Sequence, residues 1–266
     1  MSAILRTEQN AGVLRLTLDD PSSRNSLSDA MMAALSAALT TAENSAAVSV
    51  VILAAVGPAF CSGHNLKELT ASRSESDGGA SYFNNIFSRC SRLMMQISYH
   101  RCAIIAEVEG LASAAGCQLV ASCDLAYAGS AARFCTPGVN IGLFCSTPMT
   151  ALSRNVASKH GLEMLLTGDV YDAAYAYRVG LVNAVIEPLK LTEHVNVLAG
   201  KISQKSSEAI AFGKKLYHAQ QSMPLQEAYS ASTEVMVANM LNASAVEGIW
   251  AFLEKRHPDW PSNSKL

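Results

Sequence analysis

Charge is scarce in this chain. Of its 266 residues, 16% are Asp, Glu, Lys or Arg against 50% hydrophobic, and the formal net charge is −2. Such a balance offers no basic field, so neither nucleic acid nor an anionic membrane is expected as a partner. It also excludes global disorder, which needs low hydrophobicity and high net charge. With few charges to cover the surface, some apolar surface is expected to be buried between subunits. The seven cysteines are odd in number and no pair has CxxC spacing. That excludes a disulfide framework and a zinc site, and fits a reduced, cytoplasmic protein with buried thiols. No apolar run approaches the roughly 20 residues needed to span a bilayer. The first residues, MSAILRTEQNAG, lack the apolar core of a secretory signal, so none is expected.

What the chain does have is alternation of strand and helix patterns. Val13 to Leu18 alternates apolar and polar, with Leu14, Leu16 and Leu18 on one face. Ser28 caps a helix expected to run to about Ala42. Val48 to Ala54, Ile104 to Val108, Leu125 to Ala128 and Val182 to Ile186 are short apolar runs, as in strands buried on both faces. Phe83 to Tyr99 has helical periodicity. Thr147 and Pro148 read as N-cap and first residue of a helix ending near Gly161. Lys67 to Ala80, with SRSESDGG, reads as a mobile surface segment. After Pro188 the pattern is helical, with breaks near Ser206, Pro224 and Ala243. Strands separated by helices imply parallel pairing through crossovers, hence an α/β fold. A core over residues 1–190 and a helical region over 191–266 are expected.

Two loops follow buried strands and are rich in small residues: Phe60-Cys61-Ser62-Gly63-His64-Asn65-Leu66, and the turn within Val108 to Asp124, VEGLASAAGCQLVASCD. Small residues let a ligand approach the backbone and leave amide N–H groups aimed at it. Parallel strands deliver such loops to one edge of the sheet, where ligands of open α/β folds bind.

Six segments in order carry a resemblance: RNSL at Arg24 to Leu27, AFCSGHNLKEL at Ala59 to Leu69, VEGLASAAGCQLVASCDLAYAG at Val108 to Gly129, ARFCTPGVNIGL at Ala132 to Leu143, LTGDVYDAAYAYRVGLVNAV at Leu166 to Val185, and EGIWAFLEKR at Glu247 to Arg256. Together they resemble the crotonase superfamily, the enoyl-CoA hydratase/isomerase family. The resemblance implies a spiral of ββα units, a fold shared with Clp-type peptidases, and a C-terminal helical region for trimer contacts. It implies an acyl-CoA thioester as ligand, a homotrimer or dimer of trimers, and no metal or cofactor beyond the coenzyme A of the ligand. Carried over by position, the backbone N–H groups of His64 and Ala115 form the oxyanion hole for the thioester oxygen. The same resemblance places Ser23 and Arg24 near the nucleotide, Ser62 and Leu66 by adenine and pantetheine, and Phe252 and Lys255 on the late helix as further CoA contacts.

The chain departs from the pattern at the two acids. The hydratase glutamates fall at Gln118 and Gly138, and neither residue titrates. Each such general acid–base residue is commonly worth about 10²–10⁴-fold in rate. The resemblance therefore implies a thioester site with its usual proton chemistry removed, and restoring both acids (Gln118→Glu with Gly138→Glu) is expected to restore hydration. Ser146, where some branches place an acid, is not one. Asp124 reads as structural support and Glu109 as a surface or salt-bridge residue. An acyl-CoA-binding protein without catalysis is the alternative reading. A hydrolase using Ser113, with His64 or His100 as base, or using the Cys145 thiol, is the remote one.

Overall fold

The computed structural model describes residues 4–261. In chain order its strands are β1 (Leu5–Asn10), β2 (Val13–Leu18), β3 (Val50–Ala55), β4 (Ala103–Val108), β5 (Leu111–Ser113), β6 (Leu125–Gly129), β7 (Arg133–Cys135), β8 (Tyr171–Asp172) and β9 (Ala184–Ile186). Its helices are α1 (Asp29–Glu43), α2 (Leu66–Ala71), α3 (Ala80–Tyr99), α4 (Ala115–Ser122), α5 (Ser146–Leu152), α6 (Ser158–Thr167), α7 (Ala173–Arg178), α8 (Pro188–Ser203), α9 (Ser207–Gln220), α10 (Leu225–Met240) and α11 (Ala243–Leu253).

The main sheet has six strands in the order β1-β2-β3-β4-β6-β9. β1 and β2 form an antiparallel hairpin, and every later neighbour is parallel. β3 shows why its sequence is a continuous apolar run. Val51 and Leu53 enter the large core with Leu16, Ile104 and Ala106. Val50, Ile52 and Ala54 enter a second core with Ile105 and with Leu191, Val195 and Ala199 of α8. Alternate side chains thus serve two faces, both covered. β5, β7 and β8 form a smaller sheet beside the main one. Helix α8, at the boundary expected near residue 190, packs on the main sheet.

Several expectations change. β1 carries mostly exposed side chains at the sheet edge, so it has no apolar alternation to read. The 67–80 segment is not a plain surface loop: α2 and a 3-10 turn at Ser72–Ser74 occupy its first half. Thr147 is not an N-cap. α5 starts at Ser146 with Cys145 in the cap position, and the helix breaks at Leu152 before α6 begins at Ser158. Ser28 does cap α1, accepting from the Met31 amide.

One buried ion pair ties the sheet to α8. Arg15 on β2 donates from Nη1 and Nη2 to the two carboxylate oxygens of Glu107 on β4, at 3.1 and 2.8 Å. Thr192 donates to the same carboxylate at 2.8 Å, and Asn196 accepts from Arg15. The two side chains are 16% and 8% exposed. Arg15→Met leaves the carboxylate buried beside a hydroxyl alone, and is expected to cost about 3–5 kcal/mol in urea unfolding. The double change Arg15→Met with Glu107→Leu is expected to recover most of that loss, because both charges then leave the interior together. A single variant as stable as the parent would contradict this.

Candidate functional site

The loop after β3 and the turn after β4 are stitched together by main-chain bonds. The Cys61 amide donates to the Leu111 carbonyl at 3.1 Å, and the Ser113 amide donates to the Cys61 carbonyl at 2.9 Å. These make a parallel bridge between Cys61 and Ala112, and a second bridge joins His64 to Leu27. The Ala114 amide donates to the Cys135 carbonyl at 2.9 Å, adding β7 to the cluster. Gly63 has φ of +91°, and a Cβ there would stand 3.0 Å from the Ser113 oxygen and 3.3 Å from the Ala115 nitrogen. A Cβ on Gly116 would stand 2.0 Å from the Cys61 oxygen. Only glycine allows this approach.

The approach brings His64 beside the start of α4. Neither the His64 nor the Ala115 amide donates to a backbone carbonyl among the described residues. Ala115 is the first residue of α4, where helical amides lack an intrahelical partner. Ala114 before it is held at φ 50°, ψ −114°, a sparsely populated conformation for a residue with a Cβ. Two free donors therefore come from two loops whose relative position is fixed by hydrogen bonds.

All of α4 is buried. Gln118 is 3% exposed, and its Oε1 finds no donor among the described residues. It lines a cavity of about 300 Å³. Gly138 is buried in a 3-10 turn, Pro137–Ile141. A Cβ there would meet Cys145 Sγ at 2.9 Å and the Leu143 oxygen at 2.9 Å. The space a glutamate's Cβ would need is already filled by the Leu143 carbonyl and by Cys145, so Gly138→Glu cannot simply restore an acid. The expected double rescue is revised on this ground.

Of the residues carried over as CoA contacts, three lie together. The Ser62 amide donates to the Arg24 carbonyl at 3.1 Å and its Oγ to the Ser23 carbonyl at 3.2 Å. Ser23 Oγ donates to Asp20 at 2.6 Å, and that bond, with one from Ser22, lowers the Asp20 carboxyl. Arg24 is exposed, with its backbone in the left-handed region. Leu66 opens α2, exposed, with Asn65 as N-cap. Phe252 is in the last turn of α11, which packs on α9 and α10, and Lys255 lies two residues past the end of that helix. No hydrogen bond among the described residues ties them to Ser23, Arg24 or Ser62.

No serine or cysteine candidate is hydrogen-bonded to a histidine among the described residues. The Ser113 hydroxyl lies against the Cys135 thiol. His64 stacks edge-on to Phe87 at 5.2 Å, and both its ring nitrogens are buried without hydrogen bonds. Burial lowers its pKa, against an opposing effect of the Leu27 backbone, and so favours the neutral ring. His100 approaches the Leu39 carbonyl through Nε2 at 3.0 Å and accepts from the Cys102 amide at Nδ1. Burial raises the Cys145 thiol, which opposes thiolate formation. Asp124 is structural, as expected: it accepts from the Ile104 amide at 2.6 Å and pairs with Lys214 at 2.7 Å. Glu109, expected at the surface or in a salt bridge, is half-buried at the surface and makes no salt bridge among the described residues. Its carboxylate covers Gly129, Oε1 is unpartnered, and burial followed by repulsion from Glu107 raises its pKa.

The cavity beside Gln118 was not legible in the sequence. Its walls come from α3 (Met94, Met95), α4, α5 and the last turn of α9 (His218), with Arg154 just past α5. No single segment carries that pattern.

The chain matches the family model described as "Enoyl-CoA hydratase/isomerase" over residues 8–263. It is 43% identical over 254 residues to the rat enoyl-CoA hydratase domain-containing protein 3, mitochondrial, covering 96% of this chain and 83% of the relative. Its structure resembles the crystal structure of an enoyl-CoA hydratase from Mycobacterium smegmatis, with a TM-score of 0.91 and 45% identity over 97% of this chain and 98% of that one. It resembles equally, with a TM-score of 0.91, the human enoyl-CoA hydratase domain-containing protein 3, at 42% identity over 97% of this chain and 100% of that one. With its mixed α/β spiral and its two small-residue loops, this chain belongs to the enoyl-CoA hydratase/isomerase family of the crotonase superfamily.

Proposed function

We propose that the chain binds an acyl-CoA thioester and holds its carbonyl oxygen between the amides of His64 and Ala115. The observation that carries this reading is the hydrogen-bonded junction of the two loops, which leaves those two amides without backbone acceptors. Such preorganised donors stabilise the charge that develops on a thioester oxygen, each typically worth about 10²–10³-fold. Ala115 serves as well as glycine because the donor is the backbone. Ser23, Arg24, Ser62 and Leu66 form the nucleotide-side contact. Phe252 and Lys255 act from the C-terminal helices, across a subunit boundary. The exposed apolar side chains of α10 and α11, among them Leu225 and Trp250, support that boundary, in a trimer or dimer of trimers. No single helix among the described residues is long and apolar enough to cross a membrane, and α10 with α11 passes only as a pair bent by 71°. The seven free cysteines suit a reducing compartment, here the cytoplasm, although the vertebrate relatives are named as mitochondrial.

The chemistry is enoyl-CoA hydratase/isomerase-like with its two acids replaced. Gln118 and Gly138 transfer no proton by titration, so water addition is expected to run at least about 100-fold below an ordinary family hydratase. The same replacement supports a second reading, that the protein binds acyl-CoA without turning it over. The hydrolase reading loses support, because no histidine reaches Ser113 and the Cys145 thiol is raised.

Titration calorimetry with crotonyl-CoA, alongside a hydration assay on the same preparation, tests the proposal. Binding with slow or absent turnover is the expected result. Turnover at ordinary hydratase rates, abolished by Gln118→Ala, would overturn it; so would failure to bind any CoA thioester.

A further inference from the structure

The cavity beside Gln118 is not a hydrocarbon slot. Its inner end is the buried Gln118 amide with its unpartnered Oε1. Met94, buried, and Met95 and Tyr99, both exposed, line the cavity from α3. Its outer end is polar, with Arg154 and His218 facing the same space. Arg154 is exposed and donates to the Thr150 carbonyl at 2.7 Å, but it pairs with no carboxylate among the described residues. No Asp or Glu lines this cavity. An adjoining cavity of about 430 Å³ shares Arg154 and His218 and adds Lys214, whose charge Asp124 already compensates. Arg154 is therefore the one uncompensated cation among the residues lining both spaces.

A plain alkyl chain filling the cavity would gain nothing from the guanidinium at its mouth. A carboxylate at the far end of the chain would meet the planar donor fork that fits it best. We propose that the acyl pocket takes an acyl group ending in a carboxylate, the mono-thioester of a dicarboxylic acid. Arg154 holds the distal carboxylate, Met94 and Met95 flank the methylenes, and the Gln118 amide contacts the part nearest the thioester. This rests on the acyl-CoA reading above and names its substrate class.

The test is titration calorimetry of the full chain with coenzyme A, hexanoyl-CoA and adipoyl-CoA, the two thioesters having equal chain length. Adipoyl-CoA is expected to bind about tenfold tighter than hexanoyl-CoA, the size of one charge-assisted contact. The preference is expected to shrink with added salt, because Arg154 is solvent-accessible. In Arg154→Met, adipoyl-CoA is expected to fall to the level of hexanoyl-CoA. Equal or tighter binding of hexanoyl-CoA overturns this inference while leaving the thioester reading standing. Persistence of the preference in Arg154→Met overturns the assignment of Arg154. Binding of no thioester removes the parent reading and this inference with it.

Discussion

Gly116→Ala is expected to lower stability by about 3 kcal/mol or more and to weaken acyl-CoA binding at least about 100-fold. One methyl group has this effect because of where it points. The added Cβ would stand 2.0 Å from the Cys61 carbonyl oxygen and 2.9 Å from its Cβ. Cys61 is fully buried, and its carbonyl already accepts the Ser113 amide. The carbonyl cannot rotate away without breaking the bridge that sets His64 beside Ala115. Relief therefore comes from separating the two loops, which destroys the donor pair that the proposed site needs. Thermal unfolding is expected to shift down by about 6–12 °C, at roughly 2–4 °C per kcal/mol for a chain of this size. Gly200→Ala is the matched control. It lies inside α8, where an added Cβ meets nothing within 4 Å, so it is expected to be neutral or stabilising by up to about 1 kcal/mol. If Gly116→Ala melts and binds like its parent, the junction of the loops is not what forms the site.

Gln118→Glu is expected to raise crotonyl-CoA hydration by about 100-fold over the parent, the low end for one general acid–base group. The change is nearly isosteric. It places a carboxyl on the cavity wall at a position whose Oε1 now lacks a donor. Burial disfavours the carboxylate, so the introduced group titrates above the ordinary glutamate value of about 4.3. The linkage sign follows from that direction. Below about pH 4.3 both folded and unfolded chains hold the proton, and the substitution costs little. As pH rises, the unfolded chain ionises first, and the variant loses stability until its folded-state pKa is passed. Adding Gly138→Glu is expected to remove the gain, because the Leu143 carbonyl and Cys145 Sγ occupy the space its Cβ needs. A rate unchanged in Gln118→Glu, with thioester binding intact, would show that Gln118 does not face the reacting carbons. A further rise in the double variant would show that the 138–145 turn yields.

How much of this was legible beforehand depended on whether the signal lay in one segment. β3 was readable because both faces of the sheet are covered, leaving five of its six residues buried in a row. The two loops were readable because close backbone approach demands Gly63 and Gly116, and glycine is visible in a sequence. β1 was invisible for the opposite reason, since an exposed edge strand imposes no apolar alternation. α2 was hidden by its polarity: it buries no residue, and its N-cap is an asparagine bond rather than an apolar face. The break between α5 and α6 was hidden because both halves keep apolar residues at helical spacing. At the site, the absence of an acid at residue 138 was plain from the sequence. The absence of room for one was not, because the obstruction is the Leu143 carbonyl and Cys145, five and seven residues along the chain. The cavity with Arg154 at its mouth is assembled from four helices, and only packing brings those residues together.

The central claim is that two backbone amides polarise a thioester carbonyl, and the carbonyl itself reports on this. Isotope-edited infrared difference spectra of carbonyl-labelled crotonyl-CoA, free and bound, measure its C=O stretch. Two aligned N–H donors weaken the C=O bond, so the band is predicted to move to lower frequency on binding and to return toward its free position in Gly116→Ala at saturating protein. A bound thioester whose carbonyl band stays at its free position would contradict the account.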